Sequence, residues 1–233
     1  MIVPGVSPDT WNKTLSCAAP GESWVALGVH PYAYSALTDA QIATALDSLR
    51  TLIPQHRDKI VAIGEVGFDG GLDRVSASPE RQEQIVRWHA ELALSLDLPL
   101  VLHVLRAHEQ ALRVLKSLPQ RAVPGVIHSY SGGHELVDSY VKLGFYLSFA
   151  GSITRDRAVK PLRAVRQTPA ERLLVETDAP DQRPTGAIGG LLPDRCEPSH
   201  LTAIIHAAAQ ARQTSGAAID ELTTVNAKRL FRL

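Results

Sequence analysis

Seven short apolar stretches alternate with longer segments of helical periodicity along this chain. The stretches read MIVPG, WVALGVH, KIVAIGEVGFD, LPLVLH, PGVIHSY, FYLSF and RLLVETD. Runs that are rich in Val, Ile and Leu are typical of strands that are buried on both faces, as they are in a parallel sheet. We therefore predict a series of βαβ units that form a right-handed parallel sheet.

The segments between the stretches have the apolar spacing of amphipathic helices. One helix is predicted over 38–56, where five apolar residues share a face, and a second over 79–96. Shorter helices are predicted near 109–118, before Leu143 and near 161–165, and two more close the chain from about Pro198. Since a closed barrel of this kind has eight strands, we predict a TIM-type (β/α)8 barrel whose first strand and helix are missing. No linker divides the 233 residues, so the chain 1–233 is predicted to form one domain.

Four potential metal ligands stand at the ends of apolar stretches, and they are Glu65, His103, His128 and Asp178. The carboxyl ends of parallel strands lie at one edge of the sheet, so we expect these side chains to converge. Imidazole nitrogen and carboxylate oxygen suit a divalent metal that lowers the pKa of water and so generates a nucleophile. One such His is more often an ordinary hydrogen-bonded residue; the repetition at successive strand ends is what favours a metal site.

Composition narrows the function further. The 24 Lys and Arg residues balance the 24 Asp and Glu residues, which disfavours non-specific coating of long nucleic acid but not capture of one phosphate in a metal-lined pocket. Nothing in the sequence resembles a membrane span or a signal peptide, so we expect a cytoplasmic protein that does not bind membranes. Cys17 and Cys196 are interpreted as reduced thiols without a functional role.

Five segments, in order, carry a family resemblance. They are GVHPY (28–32), GEVGFD (64–69), PLVLH (99–103), GVIHSYSG (125–132) and ETDAP (176–180). This series resembles the TatD family of metal-dependent deoxyribonucleases, and the similarity extends to TTVNAKRLF near the C-terminus. The resemblance implies an amidohydrolase-type barrel with one or two metal ions. It also implies hydrolysis of phosphodiester bonds in DNA, often from the 3′ end, so DNA or another phosphoester is the expected partner.

The resemblance assigns metal ligands to this chain. Glu65 matches the glutamate that bridges the metals, and His103 and His128 match the two later histidines. Asp178 matches the aspartate that binds metal and assists the attacking water. Glu65 and Asp178 are therefore the predicted catalytic residues, whereas Glu176, which precedes the ligand aspartate, is expected to be structural.

The predicted substrate-binding residues are His30, Arg106 and Ser131. His30 matches a histidine near the pocket that either faces the substrate or orients the loop before Pro31. Ser131 belongs to the loop after His128. The family commonly has an Arg two residues after the histidine that His103 matches, but this chain has Leu105 there, so Arg106 is the candidate for the phosphate contact.

The chain departs from the family at its start. Members normally begin with a strand that carries a His-x-His pair, and here no His precedes His30. Either the natural start lies upstream or the unit has been lost. We expect one well-bound divalent ion (Mg, Mn or Zn) and a second that is weakly bound or absent. An open barrel would expose strand edges, so we also expect poor solubility, oligomerisation or a rearranged N-terminus, with the oligomeric state left open.

Two alternatives to a deoxyribonuclease remain. The same barrel and metal could hydrolyse a small amide, lactone, ester or phosphoester, since a fold does not fix a substrate. A catalytically impaired barrel could instead serve as a binding protein, as the missing His-x-His pair and Leu105 suggest.

Overall fold

The computed structural model of the protein describes residues 1–19, 21–71, 77–118, 124–186 and 194–233. The strands found there are β1 (Ile2–Pro4), β2 (Trp24–Leu27), β3 (Ile60–Asp69), β4 (Leu100–Leu105), β5 (Gly125–His128), β6 (Phe145–Phe149) and β7 (Leu173–Val175). The α-helices found there are α1 (Trp11–Leu15), α2 (Asp39–Gln55), α3 (Pro79–Leu96), α4 (His108–Ser117), α5 (Val137–Lys142), α6 (Val159–Gln167), α7 (Leu201–Arg212) and α8 (Gly216–Phe231). None of the helices in these ranges is both long and apolar enough to span a membrane.

The strands follow one another in the sheet in chain order, from β1 to β7. Strands β1, β2, β3 and β4 pair in parallel, and so do β6 and β7. The prediction of a parallel α/β fold with seven strands is thus confirmed for the described part of the chain. Two compact units are distinguished, Met1–Val126 and Ile127–Leu233, and the single domain over 1–233 stays a prediction.

In the first unit, β3 is the central strand, and all ten of its residues are buried. Helix α3 packs against β3 and also contacts α2. Both helices begin where a hydroxyl side chain accepts a backbone N–H: Thr38 accepts from Gln41, and Ser78 accepts from Arg81. The apolar face predicted for 38–56 is the buried face of α2, and the predicted helix 79–96 is α3.

In the second unit, β6 is entirely buried and pairs with β7, against which α8 packs. The Asn226 side chain of α8 donates to the carbonyls of Ala170 and Leu173, and so ties this helix to the start of β7. Helix α6 is longer than the predicted 161–165. It begins at Val159, before Pro161. Proline is tolerated in the first turn, because the N–H groups of that turn have no partner within the helix and the missing N–H of proline therefore breaks no bond.

Candidate metal centre

Three buried or half-buried side chains of the first unit form a cluster that could hold a metal ion. They are His30, which follows β2, Glu65 in β3 and His103 in β4. One ligand atom from each lies within 4.8 Å of the others. Nδ1 of His103 is 3.1 Å from Oε1 of Glu65 and 3.3 Å from Nε2 of His30. The predicted convergence of strand-end ligands is therefore found for Glu65 and His103, with His30 beside them.

An irregularity in β3 explains how Glu65 reaches this cluster. Ile63 pairs with Leu100 and Val66 with Leu102, so three steps along β3 correspond to two along β4. One extra residue in a strand is a β-bulge, which turns the local side chains away from the regular alternation. Bulges are common beside active sites for this reason, and Glu65 lies within this one.

A glycine beside the cluster lets β3 and β4 approach each other closely. Gly67 pairs with His103, and a Cβ atom on Gly67 would overlap the His103 carbonyl oxygen. The Tyr34 hydroxyl also donates to the Gly67 carbonyl and accepts from its N–H, at 3.1 Å in both cases. Burial raises the pKa of Tyr34 far above its ordinary value, so its proton stays in place. These contacts fix the strand segment that carries Glu65.

His103 is held from its far side by Asp69, which was not predicted from the sequence. Nε2 of His103 lies 3.2 Å from Oδ2 of Asp69. The backbone of Asp69 is in turn fixed by the Gln82 amide, which accepts from its N–H and donates to its carbonyl. A carboxylate that binds the outer ring nitrogen of a metal-binding histidine sets the ring orientation and raises its basicity. Glu65 and Asp69 are four residues apart in one strand. Because side chains alternate between the two faces of a strand, this spacing could have indicated that Asp69 lies on the same face as Glu65.

The ionisation of these groups reflects their mutual contacts. Burial alone would lower the pKa of His103, but hydrogen bonds with Asp69 and Glu65 outweigh it and raise the pKa to about 9. Burial would likewise raise the pKa of Asp69, but the bonds from His103 and the Gly71 N–H keep it below its ordinary value. A metal ion that binds Nδ1 of His103 must displace a proton from it.

The donor set fits a divalent metal. His103 already has the arrangement of a ligand, with Nε2 at Asp69 and Nδ1 facing Glu65. In His30, Nδ1 accepts the Tyr32 N–H at 3.2 Å, so the neutral ring carries its proton on Nε2, which lies 3.4 Å from Glu65. His30 thus presents a donor to the carboxylate and would need its other tautomer to bind metal through Nε2.

The second unit contains its own cluster of histidine and carboxylates, in which His128 ends β5 and Glu176 and Asp178 follow β7. Nε2 of His128 lies 2.7 Å from Oδ1 of Asp178, and Nδ1 lies 2.7 Å from Oε2 of Glu176. The other carboxylate oxygen of Glu176 accepts the Ser129 N–H. When the ring donates its Nδ1 proton to Glu176, Nε2 keeps a lone pair beside Asp178, and these two atoms can act as ligands. The expectation that Glu176 is structural agrees with this orienting contact.

Gln182 is a further member of the second cluster that the sequence did not indicate. Its side-chain amide donates to Oδ2 of Asp178 and to the Ser129 hydroxyl. An amide can therefore orient the carboxylate that was predicted to be catalytic. Gln182 follows the last predicted motif, in a loop that gave no periodic signal.

Two of the predicted substrate-binding residues are at the surface. Arg106 directly follows β4, is exposed and has a left-handed backbone with φ 52°. Ser131 is exposed in the loop after β5. The third, His30, is buried in the first cluster. The structure thus brings together His30, Glu65 and His103 in one unit, and His128 and Asp178 in the other.

A parallel α/β fold with strand-end histidines and carboxylates is typical of metal-dependent hydrolases, and comparison with known proteins agrees. The profile of the TatD related DNase family matches residues 1–232, and the chain belongs to this family. The uncharacterized metal-dependent hydrolase YabD of Bacillus subtilis is 33% identical over 210 residues, which cover 90% of this chain and 78% of YabD. The 3'-5' ssDNA/RNA exonuclease TatD of Musicola paradisiaca is 31% identical over 230 residues, which cover 98% of this chain and 84% of that protein.

A solved structure supports the same assignment. The crystal structure of YjjV, a TatD homolog from Escherichia coli K12, matches with a TM-score of 0.84 and 28% identity, over 100% of this chain and 86% of that one. The predicted family, TIM-type fold and enzyme class, a metal-dependent hydrolase of the DNase type, are confirmed.

Proposed function

We propose that this chain removes nucleotides from the 3′ end of single-stranded DNA or RNA in a reaction that needs a divalent metal. The observation that carries the proposal is the pair of Glu65 and His103, whose ligand atoms lie 3.1 Å apart beside buried His30, in a chain of the TatD family. The polarity and substrate come from the relative whose name states a 3'-5' ssDNA/RNA exonuclease.

For the metal we keep the ligand set predicted from the sequence, which is Glu65, His103, His128 and Asp178. We further propose one well-bound ion (Mg, Mn or Zn) and a second that is weakly bound or absent. His103 is the strongest candidate for a metal ligand, because Asp69 already fixes the orientation of its ring. A divalent ion held by these residues would activate water and would stabilise charge on the phosphoryl oxygens.

The side chains of the chain have distinct tasks in this proposal. Asp178 receives the proton of the attacking water through its carboxylate, whose orientation is supported by His128 and Gln182. His30, Arg106 and Ser131 contact the substrate, and Arg106 does so through a phosphate. An arginine can donate two parallel hydrogen bonds to one phosphate, which a neighbouring leucine cannot replace.

A nuclease assay tests the proposal directly. Single-stranded DNA and RNA with a 5′ label are incubated with Mg, Mn or Zn, and stepwise shortening from the 3′ end is the expected result. Glu65→Gln should lower turnover by about 10²–10³-fold. Glu91→Gln, which changes an exposed residue of α3, is the matched control and should leave turnover unchanged. If no metal supports release of nucleotides, the nuclease proposal is wrong.

The same preparation distinguishes the other functions that the sequence left open. Esters, lactones, amides and small phosphoesters assayed beside DNA would reveal a small-molecule hydrolase. Partner binding without any turnover would indicate a binding protein. We also propose a cytoplasmic location, which suits the two free cysteines, exposed Cys17 and buried Cys196. Cell fractionation followed by immunodetection checks this location.

A further inference from the structure

The second unit has an open cavity of about 490 Å³ that is separate from its histidine and carboxylate cluster. It lies between the 3₁₀ turn Gly151–Thr154, α6 and α7, and its volume is in the range of ligand pockets. Three lining residues carry cationic or imidazole groups: Arg155, Arg166 and His206. No carboxylate lines the cavity among the described residues, so its charge favours an anion.

A basic strip continues from this cavity along α6. We define the basic strip as Arg155, Arg157, Lys160, Arg163 and Arg166, all of which are exposed. One acidic residue, Asp156, stands within 155–167, although the whole chain has no net charge. In the part of the chain that the structure describes, no residue of the strip forms an ion pair.

The N-terminal part of the basic strip is unfavourable for the stability of α6 itself. Lys160 lies in the first turn, and no acidic residue is present there. A helix N-terminus has a partial positive charge, which favours acidic residues and disfavours cations. Arg155, Arg157 and Lys160 stand before or in the first turn of α6 and have no ion-pair partner in the described part of the chain, so the helix dipole repels them, whereas Arg166 lies in the last turn. Neighbouring cations of the strip also repel one another, and a bound polyanion would relieve that repulsion.

The cavity is linked to the loop that carries Asp178. The Thr185 N–H donates to the Thr154 hydroxyl at 2.8 Å, at the rim of the cavity. Gln182, from the same loop, binds Asp178, and its carbonyl lies so close to Gly151 that a Cβ there would overlap it. A ligand in the cavity would therefore contact the same loop that carries Asp178, which is proposed to be catalytic.

We propose that the cavity and the basic strip bind the phosphate backbone of a single-stranded nucleic acid, several nucleotides away from the bond that is cleaved. This inference rests on the proposed function and adds a second contact surface for its substrate. A cationic groove that follows the backbone is how proteins hold single strands without reading the sequence. No Phe, Tyr or Trp is among the described residues that line the cavity, so binding should depend on the phosphates and little on the bases.

The test removes two cations of the strip and compares long and short substrates. Arg155→Gln with Arg163→Gln is the test variant, because both side chains are exposed and neither forms an ion pair in the part of the chain that the structure describes. Lys228→Gln with Arg229→Gln in α8 changes the charge equally and is the matched control. A fluorescent single strand of about 20 nucleotides, with phosphorothioate linkages that resist cleavage, measures binding in the presence of metal.

We expect the test variant to bind this strand about tenfold more weakly at low salt. The slope of log affinity against log salt should also fall by about 1.4, since two phosphate contacts are lost. We expect cleavage of a dinucleotide, which contains only the bond that is cleaved, to be unchanged. The control variant should match the wild type in all three measurements.

The outcomes separate this inference from the proposed function. If the wild type binds the long strand through the strip but cleaves nothing, the inference about the strip is supported and the nuclease proposal is refuted. A test variant that binds and cleaves the long strand as the control does would refute the strip. Equal losses on the dinucleotide and the long strand would also refute it.

Discussion

Asp69 holds His103 from the side opposite to Glu65: Oδ2 of Asp69 lies 3.2 Å from Nε2 of His103, whereas Oε1 of Glu65 lies 3.1 Å from Nδ1. One imidazole therefore joins two buried carboxylates, of which only Glu65 was predicted from the sequence. Asp69 is suited to orient the ring, while Glu65 is suited to share a metal with it.

The first prediction concerns this orienting contact. Asp69→Asn replaces a carboxylate by an amide of similar size, which no longer stabilises the His103 N–H with a full charge. Metal affinity should fall by about 10–100-fold while the fold is kept. Competition with a chromogenic chelator measures the affinity, and circular dichroism checks the fold. Asp47→Asn, at an exposed position of α2, is the control. Equal affinity of Asp69→Asn and the wild type would show that Asp69 has no such role.

The second prediction separates the two carboxylates that flank His128. Asp178→Asn removes the proposed proton acceptor and should lower kcat by about 10²–10⁴-fold. Glu176→Gln keeps one oxygen that can accept from either the Ser129 N–H or His128, but it loses the second acceptor and the negative charge. A smaller decrease in kcat, of about 10–100-fold, is therefore expected. Steady-state kinetics on a labelled single strand measures both. A larger loss for Glu176→Gln than for Asp178→Asn would reverse the proposed roles.

The third prediction concerns the dependence of stability on pH. His89 is fully buried; its Nδ1 donates to the Ile85 carbonyl at 2.8 Å, and its Nε2 accepts the Val29 N–H at 3.1 Å. Burial lowers its pKa to about 4, below the unfolded value of 6.5. The unfolded chain therefore binds the proton more readily than the folded chain. The contribution of neutral His89 to the free energy of unfolding is complete above pH 6.5 and is lost as the pH falls through 4.

Urea unfolding at several pH values tests this behaviour. The free energy of unfolding should decrease by an amount on the order of 3 kcal/mol between pH 7 and pH 4 because of His89. His89→Gln should be less stable at pH 7 but should lack this part of the decrease. The difference between the two curves isolates His89 from the carboxylates, which titrate in both proteins. Parallel curves would mean that His89 is not the responsible group.

The fourth prediction tests the close approach of β3 and β4. Gly67→Ala places a Cβ against the backbone carbonyl of His103, which cannot move without disturbing the strand pairing. A loss of stability of about 2–4 kcal/mol and a loss of metal affinity are expected. Gly144→Ala is the control, since nothing lies within 4 Å of its added Cβ and only its φ of 89° causes strain. Its expected cost is about 1–2 kcal/mol, with metal affinity unchanged. Thermal unfolding and chelator competition check both variants.

The sequence determined the type and order of the elements. Continuous apolar runs predicted buried parallel strands, and helical spacing predicted 38–56 and 79–96, because burial of apolar surface imposes a period on each element. The order of the motifs also indicated the family, and the strand-end rule selected Glu65 and His103. These features are local or depend on one repeated rule, so they can be recognised without coordinates.

Only the tertiary structure decided which side chains meet. The bulge that aims Glu65, the bond between Asp69 and His103, and the amide of Gln182 beside Asp178 all depend on register or loop path. A shift of one residue in the pairing register moves every side chain of a strand to the opposite face of the sheet, and no local sequence pattern specifies that register. The sequence therefore indicated the four strand-end residues, whose role as metal ligands stays a prediction. The groups that orient them, and the basic strip beside the cavity, required the folded chain, because they are brought together by packing between distant segments.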